Sequence, residues 1–296
     1  MKTVGVFLSV VALITGMVGC DGTPSSVEIC DWYELDAIRD NLGGTYVLRC
    51  NLDSTTAGYT ELASPTANQG KGWQPIGIWP NPFVGSFDGQ GFEIRDLFID
   101  REGEDNVGLF SFVDTGAVIV GVALIDADVT GEVYVGGLVG HNHDGSLSNC
   151  HATGNVTGND NVGGLVGINE GTVSNSYSTA TVTSGEDVGG LVGWNGGTVS
   201  NSYSTGNVAG ISSVGGLVGY NDGTVNNSFW DTETSGQSTS AGGTGRTTAE
   251  MQDISTFSAA TWDIVAVANP GIRNTSYIWN IVDDETYPFL SWQRIS

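Results

Sequence analysis

All three histidines of the chain, His141, His143 and His151, fall within eleven residues, and Asp144 and Cys150 lie among them. Imidazole, carboxylate and thiolate are common ligands of transition metals, so His141, His143 and Asp144 are metal-ligand candidates. Asp160 is a candidate of a second kind, because the turn Asn159-Asp160-Asn161 offers the oxygen atoms that calcium takes. No pattern in the chain requires a cofactor, and Ca2+ is the ion left open. A rival reading comes from aligning the chain with itself. Cys150 then stands where Ser176 and Ser202 stand, His151 where Tyr177 and Tyr203 stand, and His141 where Ile168 and Trp194 stand. On that reading Cys150 fills a core position and the histidines are variants of structural residues.

Catalytic signatures are missing. There is no H-E-x-x-H zinc helix and no G-x-S-x-G elbow. The run Gly242 to Thr247 has the glycines of a phosphate loop but no lysine, and Ser240 sits where its first glycine belongs. Nine basic against 33 acidic residues give a formal charge of −24, which excludes a phosphate-backbone partner such as nucleic acid. Between Glu102 and Gly245 there is no lysine or arginine, while fifteen acids occur. A lyase for acidic sugars needs basic groups or a metal to neutralise its substrate, so this map argues against one. A hydrolase works with paired carboxylates, and Asp126 with Asp128 or Glu186 with Asp187 supply the residue types. These pairs lie beside turns, where solvated acids are common. The expectation is a protein that is not an enzyme, with a polysaccharide hydrolase or lyase as the alternative.

The elements that position these residues repeat. VGGLVG begins at Val135, Val162, Val188 and Val214, and each copy continues as G-[ST]-[VL]-[SN]-N-[SC]. A degenerate copy starts at Val107, and Gly91 to Leu97 resembles the second half of an earlier unit. A unit of about 26 residues cannot bury a core alone and must stack on its neighbours. Its pieces are short, rich in Val, Thr, Ser and Tyr, and separated by Gly, Asn and Asp, so they read as three strands with turns. The 45 glycines, about twice the roughly 7% norm, also speak against long helices. The fold expected is all-β: a right-handed parallel β-helix, or β-solenoid.

Stacking turns every repeat position into a column. Asn142, Asn169, Asn195 and Asn221 form one, and Asn149, Asn175, Asn201 and Asn227 another, both expected as structural ladders. Two columns carry rings. One holds Phe112, His141, Ile168, Trp194 and Tyr220; the other holds Phe98, His151, Tyr177, Tyr203 and Phe229. Aligned flat rings suit a sugar chain or an extended peptide, which makes Phe112, Trp194, Tyr220, Tyr177 and Tyr203 the ligand-binding candidates. Stacked rings that merely stabilise a solenoid face are the competing explanation.

Solenoid ends need covers. A short helical pattern over Asp31–Asn41, with Leu35, Ile38 and Leu42 on one face, is the N-terminal cap, after which Tyr46-Val47-Leu48 starts the first coil. Cys30 and Cys50 bracket it and are a disulfide candidate; two separate thiols are the other option. Thr247-Thr248-Ala249-Glu250 is a capping box, and the aromatic-rich tail with Trp262, Tyr277, Trp279, Tyr287, Phe289 and Trp292 is expected to cover the last coil. At the other terminus Lys2 precedes an apolar run from Val4 to Met17, too short to span a bilayer, and Val18-Gly19-Cys20 follows it. The organisation expected is a signal peptide at 1–19, a cap with first coils at 20–106, repeat coils at 107–232, and a terminal loop and cap at 233–296.

Met17-Val18-Gly19-Cys20 resembles a bacterial lipobox, which implies a lipid anchor on Cys20 and a membrane contact through acyl chains alone. VGGLVG, the Asn-Gly turn and G-T-V-S-N-S-Y resemble the GLUG-motif repeats of bacterial and archaeal surface proteins. Trp73 to Gly77 and Phe83 to Gly89 resemble the lead-in of those proteins. Ser228 to Gly236, Thr247 to Met251 and Tyr287 to Leu290 resemble their closing segment. The resemblance implies a parallel β-helix displayed on the extracellular or periplasmic side of the envelope. It suggests an adhesin-like role toward a surface glycan or an extracellular protein, and it leaves the ligand open. A structural envelope component is the remaining alternative.

Overall fold

The computed structural model describes residues 26–293. The signal-peptide and Cys20 expectations lie outside the described residues. From Glu93 to Asp231 the chain winds through parallel strands that pair with their copies one coil away, about 26 residues on. Val135, Val162, Val188 and Val214 stand in register, as do Leu147, Val173, Val199 and Val225. The fold is therefore the expected β-solenoid. Each coil has more strands than the three expected. One coil runs Val133–Gly136, Val139–Asn142, Ser146–Ser148 and His151–Thr157. The glycine pair inside VGGLVG makes the extra corner: a Cβ on Gly163 or Gly189 would collide with the carbonyl of Val166 or Val192.

Inside, Val135, Leu138, Val139 and Leu147 of that coil are fully buried, as are Val162, Leu165, Val166 and Val173 and then Val188, Leu191, Val192 and Val199 of the next two coils, while Val214 and Val225 of the last coil are partly buried. Each fully buried side chain contributes about 1.5–3 kcal/mol of burial. The two asparagine columns do different work. Asn142 Nδ2 donates to Asn169 Oδ1 at 2.8 Å, Asn169 to Asn195 at 2.8 Å and Asn195 to Asn221 at 2.7 Å, a buried amide ladder. Asn149, Asn175, Asn201 and Asn227 instead hold left-handed turns, with φ of 54°, 46°, 47° and 47°. Beside them a hydroxyl ladder runs inward: Cys150 N–H donates to Ser176 Oγ, Ser176 N–H to Ser202 Oγ, and Ser202 N–H to Ser228 Oγ. Cys150 is a fully buried member of that core column.

The N-terminal cap differs from expectation. Val27–Ile29 is already a strand, paired in parallel with Thr45–Leu48. The helix Trp32–Asp36 and the 3-10 turn Ala37–Asp40 are an excursion between these two strands, burying Trp32, Leu35 and Ile38. Asp31 caps the helix by accepting from Glu34 N–H, but Glu34 reaches back to Cys30 N–H, one residue beyond a capping box. Cys30 and Cys50 form a disulfide with Cα atoms 4.7 Å apart, tying the ends of the two strands together.

At the far end, residues 239–241 bond to the last coil: Gly216 N–H donates to Thr239 O and Ala241 N–H to Val218 O, both at 3.0 Å. Thr244–Arg246 then pairs with Phe229–Asp231. The helix Thr248–Gln252 follows, with the expected capping box, then the helix Ile254–Ala259 and a sheet of Ile264–Ala266, Trp279–Ile281 and Phe289–Leu290. This aromatic cap covers Phe229 of the last coil and continues back along the flank. Tyr203 Oη donates to Pro288 O at 2.6 Å, and Gln293 Nε2 donates to Tyr177 Oη at 2.6 Å and lies 3.2 Å from His151 Nε2. The outer rings of successive coils make that flank apolar, and the tail's tryptophans bury it. Asp231, fully buried, anchors the join by accepting from Tyr287 Oη and Thr248 Oγ1, each at 2.7 Å.

Candidate binding face

The first ring column is as the repeat spacing implies. Phe112, His141, Ile168, Trp194 and Tyr220 pair in register along one parallel sheet. Phe112 and Ile168 are mostly covered by their neighbours, His141 and Trp194 are half-buried, and Tyr220 is 43% exposed. The ring centroids of Phe112 and His141 are 4.5 Å apart. Trp79 extends the column. Its ring is 65% exposed and packs 5.4 Å from Phe112, out of a loop in which Ile78 is also exposed. Sequence reasoning missed Trp79 because its loop lies upstream of the repeats; the signal was the tryptophan-proline-asparagine-proline run just before Phe83.

The second column is corrected in two ways. Phe98 does not belong to it: Phe98 pairs with Asp128, whereas the column reads Glu93, Ala123, His151, Tyr177, Tyr203, Phe229. Early coils are longer than 26 residues, and the strand Ala123–Thr130 pairs with two separate strands, so constant spacing misplaces Phe98. Tyr177 and Tyr203 are not available to a ligand. They are 7% and 2% exposed, stacked within 4.8 Å at 2° to each other, and covered by Trp279. Burial pushes the Tyr177 phenol far above its ordinary range.

The metal candidates are dispersed into pairs. His141 Nε2 lies 2.8 Å from Glu170 Oε2, and His143 Nδ1 lies 2.9 Å from Asp114 Oδ1. Burial lowers the His141 pKa against the pull of Glu170, while Asp114 raises that of the exposed His143. Asp144 accepts from Thr115 Oγ1, and Asp160 stands beside Glu186 in a different sheet. Burial, and then the nearby Asp187 and Glu186, raise the Asp160 carboxyl above the usual range. Among the described residues no group of three or more His, Cys, Asp or Glu side chains is placed to hold a metal ion.

Carboxylates flank the exposed rings on both sides. On one side, two residues beyond each ring position, stand Asp114, His143, Glu170, Gly196 and Asp222. On the other, Tyr134 lies 5.9 Å from His141, and Asp187 takes the repeat position of Tyr134 two coils on, its backbone against Gly219 beside Tyr220. Such a face can stack rings or aliphatic stems and accept hydrogen bonds.

A family model described as the GLUG motif matches residues 131–157, 158–183 and 184–209. Residues 131–209 are GLUG repeats. Each matched GLUG unit is one coil of the solenoid, and the coil begun by Val214 stacks on them in the same register. The chain is 39% identical over 164 residues, 53% of its length, to Halomucin of Haloquadratum walsbyi. It is 30% identical over 112 residues, 37% of its length, to a putative Gly-rich membrane protein of Evansella cellulosilytica. It spans only 2% and 12% of those two proteins. No solved structure matches it.

Proposed function

We propose that this protein is exported, is held at the cell envelope by a lipid on Cys20, and uses its GLUG solenoid as a rigid non-enzymatic platform. Its partner, a surface glycan or an extracellular protein, lies along the column of Phe112, Trp194 and Tyr220. The observation that carries this reading is the contrast between the two ring columns: one is buried under the chain's own cap, whereas the other lies outside that cap and keeps Trp79 and Tyr220 exposed among the described residues. Export is supported by the Cys30–Cys50 disulfide, since such bonds persist in oxidising compartments. The names of the two relatives, Halomucin and a Gly-rich membrane protein, agree with a place at the cell surface.

The test is a glycan array and a pull-down from extracellular material, each with the Trp194→Ala, Tyr220→Ala double variant. Binding should fall at least tenfold with little change in melting, because both side chains are partly solvated. Equal binding by both proteins would sink the proposal. A polysaccharide hydrolase is the second reading, and the raised Asp160 carboxyl beside Glu186 and Asp187 favours it. Release of reducing ends from a polysaccharide panel, lost in Asp160→Asn, would establish it. A chain with no hit in either assay is a structural envelope component.

A further inference from the structure

Ligand chemistry at this face is constrained by what surrounds the rings. The Arg and Lys ion pairs among the described residues use Asp36, Glu28, Glu104, Glu93 and Glu250, none of them on the face. No Lys or Arg occurs from Glu102 to Gly245, so Asp187, Glu186 and Asp222 have no cation of the repeat region to pair with. Among the described residues the basic side chains that meet Asp114 and Glu170 are His143 and His141, and Asp114 also accepts from Thr115. An anionic polymer is repelled here, and a neutral one leaves the carboxylates as they are. A cation gains from both partners, because the ring face is the negative part of an aromatic quadrupole.

The column also shows what kind of cationic chain fits. Ile168 interrupts the rings in the middle. A sugar chain loses its stacking platform there, whereas a chain of flexible lysine or arginine stems needs no continuous run of rings, since each stem packs on one exposed ring while its charged head reaches outward. Five coils at ~4.8 Å span about 19 Å, which is the length of roughly six residues of extended polypeptide. Heads leaving the column on either side meet Glu170 or Asp222 on one flank and Asp187 on the other.

We propose that the occupant of this face is an extended lysine- and arginine-rich polypeptide segment, its stems on Trp79, Trp194 and Tyr220 and its cationic heads on Glu170, Asp187 and Asp222. The proposal rests on the reading of the column as a binding face.

The experiment is fluorescence anisotropy with the full chain and labelled hexalysine, hexaglycine and hexaglutamate at physiological salt. Hexalysine should bind and the other two should not. Trp194→Ala and the pair Glu170→Gln, Asp187→Asn should each weaken hexalysine at least fivefold. The control pair Asp126→Asn, Asp128→Asn removes the same charge from exposed positions on another sheet and should change it less than twofold. If the control pair weakens binding as much as the face pair, or if Trp194→Ala changes nothing, the attraction is diffuse charge and the proposal is overturned. A neutral glycan that binds and is lost in Trp194→Ala, with no hexalysine binding, also overturns it while leaving the binding face intact. If neither binds and no array signal depends on Trp194, both fail.

Discussion

His151 is the one member of the buried column between Ala123 and Phe229 whose side chain, free of the fold, titrates near neutral pH. Its ring is 3% exposed and lies on Tyr177 at 4.7 Å and 3°, with Trp292 on its other side and the Gln293 amide near its nitrogens. No carboxylate offsets the burial, which drives its pKa down to about 3. The unfolded chain takes up the proton near 6.5, so it binds the proton first as pH falls. Stability is therefore lost from about pH 6.5 downward, until the folded pKa is reached, at about 1.4 kcal/mol per unit. At pH 4.5 the loss is about 2.7 kcal/mol, or roughly 5–10 °C in melting temperature for a chain of this size. His141, also lowered, acts in the same direction, while His143, raised, acts against it. The substitution His151→Phe isolates the effect, because Phe229 shows that the column accepts phenylalanine. Melting of both proteins followed from pH 7.5 to 4.5 should show the variant's advantage growing by about 2.7 kcal/mol. Curves that stay parallel over that range would refute the reasoning.

Other expectations are more local. Asn169→Ala removes the acceptor of Asn142 Nδ2 and the donor to Asn195 Oδ1, cutting two buried ladder bonds, and should cost about 2–4 kcal/mol in urea unfolding. An unchanged midpoint would show that the amide ladder is not a stabilising element. Cys30→Ser opens a loop with a sequence separation of 20 and should cost about 3 kcal/mol by the chain-entropy relation, and reduction of the native protein should reproduce it. Asp231→Ala removes the acceptor of Tyr287 and Thr248 and should release the terminal cap, seen as new protease cleavage between residues 260 and 277 and as dye binding to the uncovered rings. Cleavage identical to the parent would mean that the tryptophan contacts alone hold the cap.

The solenoid was legible because near-identical segments report their own register: Val135, Val162, Val188 and Val214 announce both coil length and pairing partner. The outward ring column followed from that register. Legibility failed where the repeat loosens. Phe98 was placed by constant spacing, and the coils before Ala123 do not keep it. The strand Val27–Ile29 is three residues long, too short for its Val-Glu-Ile alternation to single it out, so its partner Thr45–Leu48 defines it. The burial of Tyr177 and Tyr203 depends on residues about 75–115 positions downstream, such as Trp279, Pro288 and Gln293, and no local pattern encodes such a contact. Trp79 joined the exposed column in the same non-local way.

The cap that returns from Asp231 to His151 also decides how the molecule answers a pull. Tension applied through the end of the described chain enters the solenoid sideways, at the coil of His151 and near Gly91, rather than at its final turn. Several contacts along that flank must slide together before any coil can peel away. If the proposed lipid on Cys20 tethers the other end, the seam works as a clasp against unravelling under drag.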